Sequence, residues 1–285
     1  MSTATFSKII NLERFGPRLE ELSRKYRSAH PYPHIQIDDF LEEEAAQKAM
    51  KEFPEVTNAG WIHYVHVNEK KHGLNKMDRL PAYIRSVIEE LNTPEFCAFL
   101  SRLTGIPGLL PDEMLEGGGL HQSGRGGFLN IHADFTVHPH KRHWRRRVNL
   151  LVYLNQNWRP EYRGELQLWE KDMSKCAVSI LPVFNRAVIF NTDEDSYHGL
   201  PDPIQCPEGM TRKSIALYYF TEEKDILPKK RSTNYRARPE DGIRRIWIWL
   251  DKKLVAAYSS IKSALGINDD FVSRLLNIFS RKKNK

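Results

Sequence analysis

Between Gly105 and Glu222 the chain breaks repeatedly into short apolar runs parted by Gly, Pro and Asn. The clearest are LNIHADF (129–135), RVNLLVYLN (147–155), ELQLWE (165–170), AVSILPV (177–183), RAVIFN (186–191) and RKSIALYYFT (212–221). Runs of this length, rich in β-branched and aromatic residues and bounded by turn formers, read as strands. Strands packed this closely along a chain cover their apolar faces as an antiparallel sandwich or jelly roll. The patch GGGLHQSGRGG (117–127) is predicted to be a loop.

On either side the periodicity changes. Residues 1–30 read as a polar, helical lead-in, and PYPHIQIDDF (31–40) alternates as a strand through Ile35, Ile37 and Phe40. LEEEAAQKAMKEF (41–53) reads as a helix stopped by Pro54. Two more helices are predicted over 79–92 and 94–104, the first with Leu80, Ile84, Val87, Ile88 and Leu91 at helical spacing. After Thr221, EEKDILPKKRSTNYRARP reads as a linker. Helical spacing returns over 240–265 through Ile243, Trp247, Leu250, Leu254, Tyr258, Ile261 and Leu265. A short final helix with Phe271, Leu275, Ile278 and Phe279 follows a cap near Asn268–Asp270. The class expected is α+β with a mainly β core. A helical and strand region (1–105) supports that core (106–221), and a basic linker and amphipathic helical tail (222–285) follow.

A net charge of +7 invites a nucleic-acid or membrane reading until the charge is located. Residues 222–285 hold 16 Lys+Arg against 8 Asp+Glu, whereas the first 221 hold 27 against 28. The β core is therefore near neutral and carries no base-reading motif, so nucleic acid is not an expected partner. The basic tail has three readings: packing on its own domain, pairing with another subunit, or lying on an anionic membrane surface. The three cysteines, Cys97, Cys176 and Cys206, are far apart and form no CxxC. The opening MSTATFSKIINLERFG lacks the apolar core of a secretory signal, and no run of ~18 apolar residues occurs. The expected location is the cytoplasm, with the tail at most peripheral at the inner membrane face. Oligomeric state is left open.

The chemistry gathers on LNIHADF. In a strand alternate side chains share a face, so His132 and Asp134 project together while Ile131, Ala133 and Phe135 point the other way. Alone, an HxD is a weak signal and more often a surface pair. His198, however, lies in NTDEDSYHGLP just after the strand RAVIFN. Two imidazoles and a carboxylate can take one face of an octahedral ion, the arrangement of non-haem Fe(II) oxygenases; zinc is less favoured. In RKSIALYYF, Arg212 and Ser214 share a face and Lys213 points away. Arg212 offers a planar fork to a carboxylate, and Ser214 adds a hydroxyl. Together they could hold the far end of a dicarboxylate that chelates the metal, with Lys213 as the fallback.

The HxD, the distal His and the downstream RxS resemble the 2-oxoglutarate/Fe(II)-dependent dioxygenases. The flanking text, LNIHADF, VNLLVYLN, GELQLW, AVIFN, YHGLPDP and RKSIALYYFT, is similar to their prolyl 4-hydroxylase-like branch, over roughly residues 31–221. The resemblance implies a double-stranded β-helix (jelly roll) with the N-terminal helices packed outside. It implies Fe(II) on His132, Asp134 and His198, and 2-oxoglutarate clamped by Arg212 with Ser214. It also implies O₂ as co-substrate, ascorbate as an optional reductant, and hydroxylation of a C–H bond with release of succinate and CO₂. The substrate is a peptidyl proline by family analogy. The alternatives are a small metabolite or sugar, or a non-catalytic jelly-roll binding module. Asp134 argues against halogenation, because the halogenases of this superfamily lack that carboxylate. The insertion-like PDPIQCPEGMT between His198 and Arg212 has no assigned role.

Further residues are candidates with structural alternatives. Asn149, Tyr153 and Trp169 are candidate cofactor or substrate contacts, or else barrel packing. HPHKRHWRRR (138–147) reads as a solvated basic rim, with His138, His140 and His143 as minor metal-ligand candidates. His121 either lines the site entrance or sits in a surface loop.

Overall fold

The computed structural model describes residues 9–226, 233–243 and 245–250. Four α-helices, interleaved with the first three strands, occupy the first 105 residues: α1 (Leu19–Ser28), α2 (Glu43–Lys51), α3 (Ala82–Leu91) and α4 (Pro94–Thr104). Their boundaries have local causes. At α4 the Thr93 hydroxyl accepts from the Phe96 N–H, Pro94 occupies the first turn where no N–H is needed, and Gly105 leaves at φ +76°. The buried faces of α3 (Ile84, Val87, Ile88, Leu91) and α4 (Phe96, Phe99, Leu100, Leu103) follow the helical period.

The strands are β1 (His34–Ile37), β2 (Ile62–His66), β3 (Glu69–Leu74), β4 (Leu110–Pro111), β5 (Gly119–Ser123), β6 (Phe128–Ala133), β7 (Trp144–Tyr153), β8 (Leu166–Trp169), β9 (Cys176–Ile180), β10 (Arg186–Asn191), β11 (His198–Leu200), β12 (Arg212–Glu222) and β13 (Asn234–Tyr235). Every pairing between them is antiparallel, in the order β1-β10-β7-β12-β5-β3-β6-β11-β8-β9. One half, through β12 and β7, meets the other, through β6 and β11, at β3, which pairs with both β5 and β6. This is the double-stranded β-helix, with helices on one outer face.

Alternation decides which side chains go where. Val148, Leu150 and Val152 of β7, Ala187 and Ile189 of β10, and Ile215, Leu217 and Tyr219 of β12 join the helices in one buried cluster. Full burial of each such aliphatic chain contributes about 1.5–3 kcal/mol. Tyr219, buried among them, satisfies its hydroxyl by donating to the Leu91 carbonyl at 2.7 Å. Their neighbours Asn149, Tyr153, Arg212, Ser214 and Tyr218 face inward.

Two sequence expectations are corrected. The glycine-rich patch is not a loop throughout: Gly119–Ser123 is β5, paired with both β12 and β3. Its glycine allows a close approach, since a Cβ on Gly119, at φ +87°, would lie 2.3 Å from the Leu74 carbonyl oxygen. The stretch read as a linker returns to the sheet, where Asn234 and Tyr235 pair with Ala133 and His132. Within the expected tail helix, residues 245–250 are helical; its continuation and the Asn268–Asp270 cap lie outside the described residues. Among the described residues, no helix is long and apolar enough to cross a membrane.

Candidate active site

His132 on β6 and His198 on β11 are direct register partners, so pairing of two strands brings the imidazoles together, with ring centroids 4.5 Å apart. Asp134 follows two residues after His132 on the same face. Its Oδ1 lies 3.6 Å from His132 Nε2 and its Oδ2 lies 3.4 Å from His198 Nε2. One ligand atom from each residue falls within 4.8 Å of the others, the one such group of His, Cys, Asp or Glu among the described residues. The close fit of the strands depends on Gly199, where a Cβ would meet the Leu129 and Asn130 carbonyl oxygens at 2.7 and 2.9 Å.

The second nitrogen of each ring sets its tautomer. His132 Nδ1 donates to the Asn130 carbonyl at 2.8 Å and His198 Nδ1 donates to the Ser196 carbonyl at 2.9 Å. Each Nε2 is then a bare lone pair facing a carboxylate. Burial, then the neighbouring His198, holds His132 below the usual imidazole range despite Asp134. Two nitrogen lone pairs and a carboxylate converge in a buried place, three acceptors facing one another. A cation satisfies all three, and a 2-His-1-carboxylate set suits non-haem Fe(II).

A residue read as part of a solvated basic run completes this arrangement. Arg146 is 1% exposed. Its Nη2 donates to Asp134 Oδ2 at 2.9 Å and its Nε donates to Asn149 Oδ1 at 2.9 Å. Asn149 Nδ2 donates to the same Asp134 oxygen at 2.8 Å, and the Thr192 hydroxyl donates to Asn149 Oδ1 at 3.0 Å. The guanidinium lies 3.4 Å from the Tyr218 ring centroid. Burial alone would raise the Asp134 pKa, but Arg146 and the two histidines outweigh it and hold the carboxyl well below its usual range. Alternation would put Arg146 on the face of Val148, toward the helices. Instead a register shift pairs Phe220 with Arg146 and Tyr219 with Val148, leaving Arg147 without a partner. That bulge turns Arg146 inward, which strict period-two reading cannot anticipate.

Arg212 and Ser214 also face inward, both buried. Arg212 Nε donates to the Gly164 carbonyl at 2.7 Å and Nη2 donates to the Tyr153 hydroxyl at 3.2 Å. Ser214 is the register partner of Tyr153. Arginine has five N–H donors, so three remain beyond these two bonds, which fits the fork to a carboxylate. Lys213 lies on the opposite face. Burial lowers the Lys213 pKa, and its backbone N–H donates to Asn155 Oδ1 at 2.6 Å.

The remaining candidates separate. Asn149 and Tyr153 are in the site, through Asp134 and Arg212. Trp169 is not: it packs with Ile131, Ala133 and Tyr197, the outward side of the strand that carries His132. The reason is parity, because Leu168, not Trp169, is the register partner of His198. His138 is fully buried rather than solvated. Its Nε2 donates to Asp112 Oδ1 at 3.2 Å, and its Nδ1 accepts from the His140 and Lys141 N–H groups, so both nitrogens are spent on loop structure. His140 pairs with Glu116 and His143 is exposed. None of the three joins the His132 group.

The chain also brings in groups outside the recognised motifs. Tyr235 packs its ring 5.6 Å from that of His132, and the Phe190 ring lies 4.7 Å from that of His198. Lys71 pairs with Glu69 at 3.0 Å, and Glu69 also meets His66 at 2.8 Å. Burial opposes the charge on Lys71, but Glu69 overcomes it and raises its pKa. Burial, then the Lys71 charge, lowers His121 to about 3. Arg212 also acts on His121, while Lys71 and Asp134 both act on Tyr218, so these groups share one interior. No motif marked β2 and β3; the alternation of Tyr64, Lys71 and Gly73 was the available signal.

Residues 118–220 match a family model described as the 2OG-Fe(II) oxygenase superfamily. No curated protein matches the chain. Among solved structures it is similar to a prolyl-4-hydroxylase from Pseudomonas putida, with 16% identity and TM-score 0.48 over 72% of this chain and 100% of that one. It is similar to a prolyl 4-hydroxylase from Phytophthora capsici, with 17% identity and TM-score 0.49 over 100% of this chain and 93% of that one. A prolyl hydroxylase from Trichoplax adhaerens, solved with a hypoxia inducible factor peptide fragment, shows 18% identity and TM-score 0.46 over 73% of this chain and 91% of that one. Likenesses this distant carry nothing about substrate.

Proposed function

We propose that the chain is a 2OG-Fe(II) oxygenase, a reading supported by the match of residues 118–220 to that superfamily's model, and that it hydroxylates an unactivated C–H bond, with His132, Asp134 and His198 as the iron ligands and Arg212, helped by Ser214, as the 2-oxoglutarate clamp. The observation that carries this reading is the convergence of three acceptors within 4.8 Å, with each imidazole turned so that its Nε2 is free. Bound there, iron and 2-oxoglutarate supply the oxidising chemistry, consuming O₂, releasing succinate and CO₂, and leaving one oxygen atom for the substrate.

The protein's part is positioning and exclusion of water. Arg146 and Asn149 hold Asp134 Oδ2, which leaves Oδ1 for the metal. The Asn130 and Ser196 carbonyls fix the two rings. Gly164 and Tyr153 hold the Arg212 fork so that its remaining donors meet a carboxylate without a search through rotamers.

The substrate proposed first is a peptidyl proline, which rests on the flanking motifs similar to the prolyl 4-hydroxylase-like branch. One observation favours a second reading, a small polar metabolite or sugar. The buried Lys71–Glu69 pair and His121 present charge and hydrogen bonds beside Tyr218, where a proline ring would offer none in return. We place the enzyme in the cytoplasm, where the free thiols of Cys97, Cys176 and Cys206 stay reduced. The basic tail would serve as a peripheral contact with a partner or the inner membrane face.

Mass spectrometry of peptides and metabolites from cells carrying the wild type or His198→Ala tests the proposal. A proline-containing peptide losing one oxygen atom in the variant supports the first substrate and a polar metabolite the second; no lost oxygen in either pool counts against hydroxylation.

A further inference from the structure

The β2–β3 hairpin has a second face. Register pairs His63 with His72 across β2 and β3, and His72 with Gln122 across β3 and β5. Cross-strand partners project on one side, so the three side chains form a row over three adjacent strands. By the same alternation Tyr64 and Lys71 face the opposite side, toward the iron site.

The two imidazoles meet directly, Nδ1 to Nδ1 at 2.7 Å, with ring centroids 4.7 Å apart. One nitrogen donates and the other accepts, so two rings spend their best ligand atoms on each other. Burial holds both below the usual imidazole range, His72 to about 4, so both are neutral near pH 7 and able to ligate. Beside them Gln122 is 1% exposed. Its Nε2 donates to the Thr211 hydroxyl at 2.7 Å, and its Oε1 is a buried acceptor with no hydrogen-bond partner. Buried acceptors are rarely left this way.

We propose that His63 and His72 bind a second metal ion through their Nδ1 atoms, with Gln122 Oε1 as an oxygen ligand and water completing the shell. Imidazole donors select a borderline divalent transition ion such as Zn(II), Ni(II) or Cu(II) over Mg(II) or Ca(II). Two nitrogens on one tetrahedral ion stand roughly 3.3 Å apart, so the ring nitrogens separate by about 0.6 Å from their 2.7 Å contact and exchange their mutual hydrogen bond for metal bonds. Binding requires a tautomer change and no net proton loss from neutral rings. Such an ion clips β2 to β3 and so braces the hairpin whose inner face carries Tyr64, Glu69 and Lys71. This site stands apart from the triad and does not rest on the proposed hydroxylase function.

The test is equilibrium titration of the untagged full-length protein with Ni(II). The wild type should bind two equivalents, and His72→Ala and His63→Asn should each bind one. Both variants should keep the spectral change that Fe(II) with 2-oxoglutarate gives in the wild type, which shows an intact fold. In the wild type the second equivalent should slow amide exchange over residues 62–74 several-fold. A single equivalent in the wild type that both variants retain overturns the site. So do two equivalents in both variants, or unchanged exchange across the hairpin.

Discussion

Arg146 is the residue on which the chemistry of Asp134 turns. A buried guanidinium hydrogen-bonded to both Asp134 and Asn149 holds the carboxylate ionised and aimed, whereas a buried carboxylate without its partner is costly. The Asp134 pKa lies below its unfolded value. Its ionised form is therefore favoured above the unfolded pKa of about 3.9, and that contribution is lost only as pH falls through the lower folded value. Arg146→Met removes the main opposing charge, so the acid limb of metal binding should move to higher pH. Fe(II) or Co(II) affinity near neutrality should drop about 10- to 100-fold, the usual cost of losing a group that orients a ligand. Arg146→Lys keeps a charge without the fork and should fall between. Titrations across a pH series measure both effects; an unshifted acid limb in Arg146→Met would contradict the assigned role.

At the scale of elements, the site is a product of strand pairing. β11 is three residues long, yet its register with β6 sets the His132–His198 distance. Gly199→Ala places a Cβ 2.7 Å from a backbone oxygen, which can be relieved only by parting the two strands. The expected result is loss of metal binding together with a lowered melting temperature, measured by titration and thermal denaturation on one preparation; wild-type metal affinity would contradict it. Much of this level was legible beforehand. Arg186–Asn191 and Pro94–Thr104 form the elements their patterns predict, because an uninterrupted period or a clean cap leaves one solution. β5 was hidden because glycines that mark turns also permit close packing of a strand. Arg146 was hidden because a bulge reverses parity, and Tyr235 because a two-residue strand has no period to read. The convergence of His132, Asp134 and His198 and the inward facing of Arg212 were legible, since spacing on strands is itself the signal. For Trp169, read as either a site contact or barrel packing, the structure shows the packing.

Across the whole molecule, charge and chemistry sit in different places. The first 221 residues carry 27 basic and 28 acidic side chains, while residues 222–285 carry 16 and 8. The last described segment already touches the β core: Ile248 is buried and its carbonyl accepts from Asn68 at 3.4 Å. Removing only residues 251–285 should leave Fe(II) binding and succinate formation unchanged, measured side by side with the full chain; their loss would place that segment in the fold rather than in localisation. The central claim, that His132, Asp134 and His198 hold iron while Arg212 holds 2-oxoglutarate, is most directly tested by anaerobic titration of Fe(II) in the presence of 2-oxoglutarate. A weak visible charge-transfer band should develop to one equivalent in the wild type and be absent in His132→Ala, with succinate formed when O₂ is admitted to the wild type. No band and no succinate from the folded wild type would contradict it.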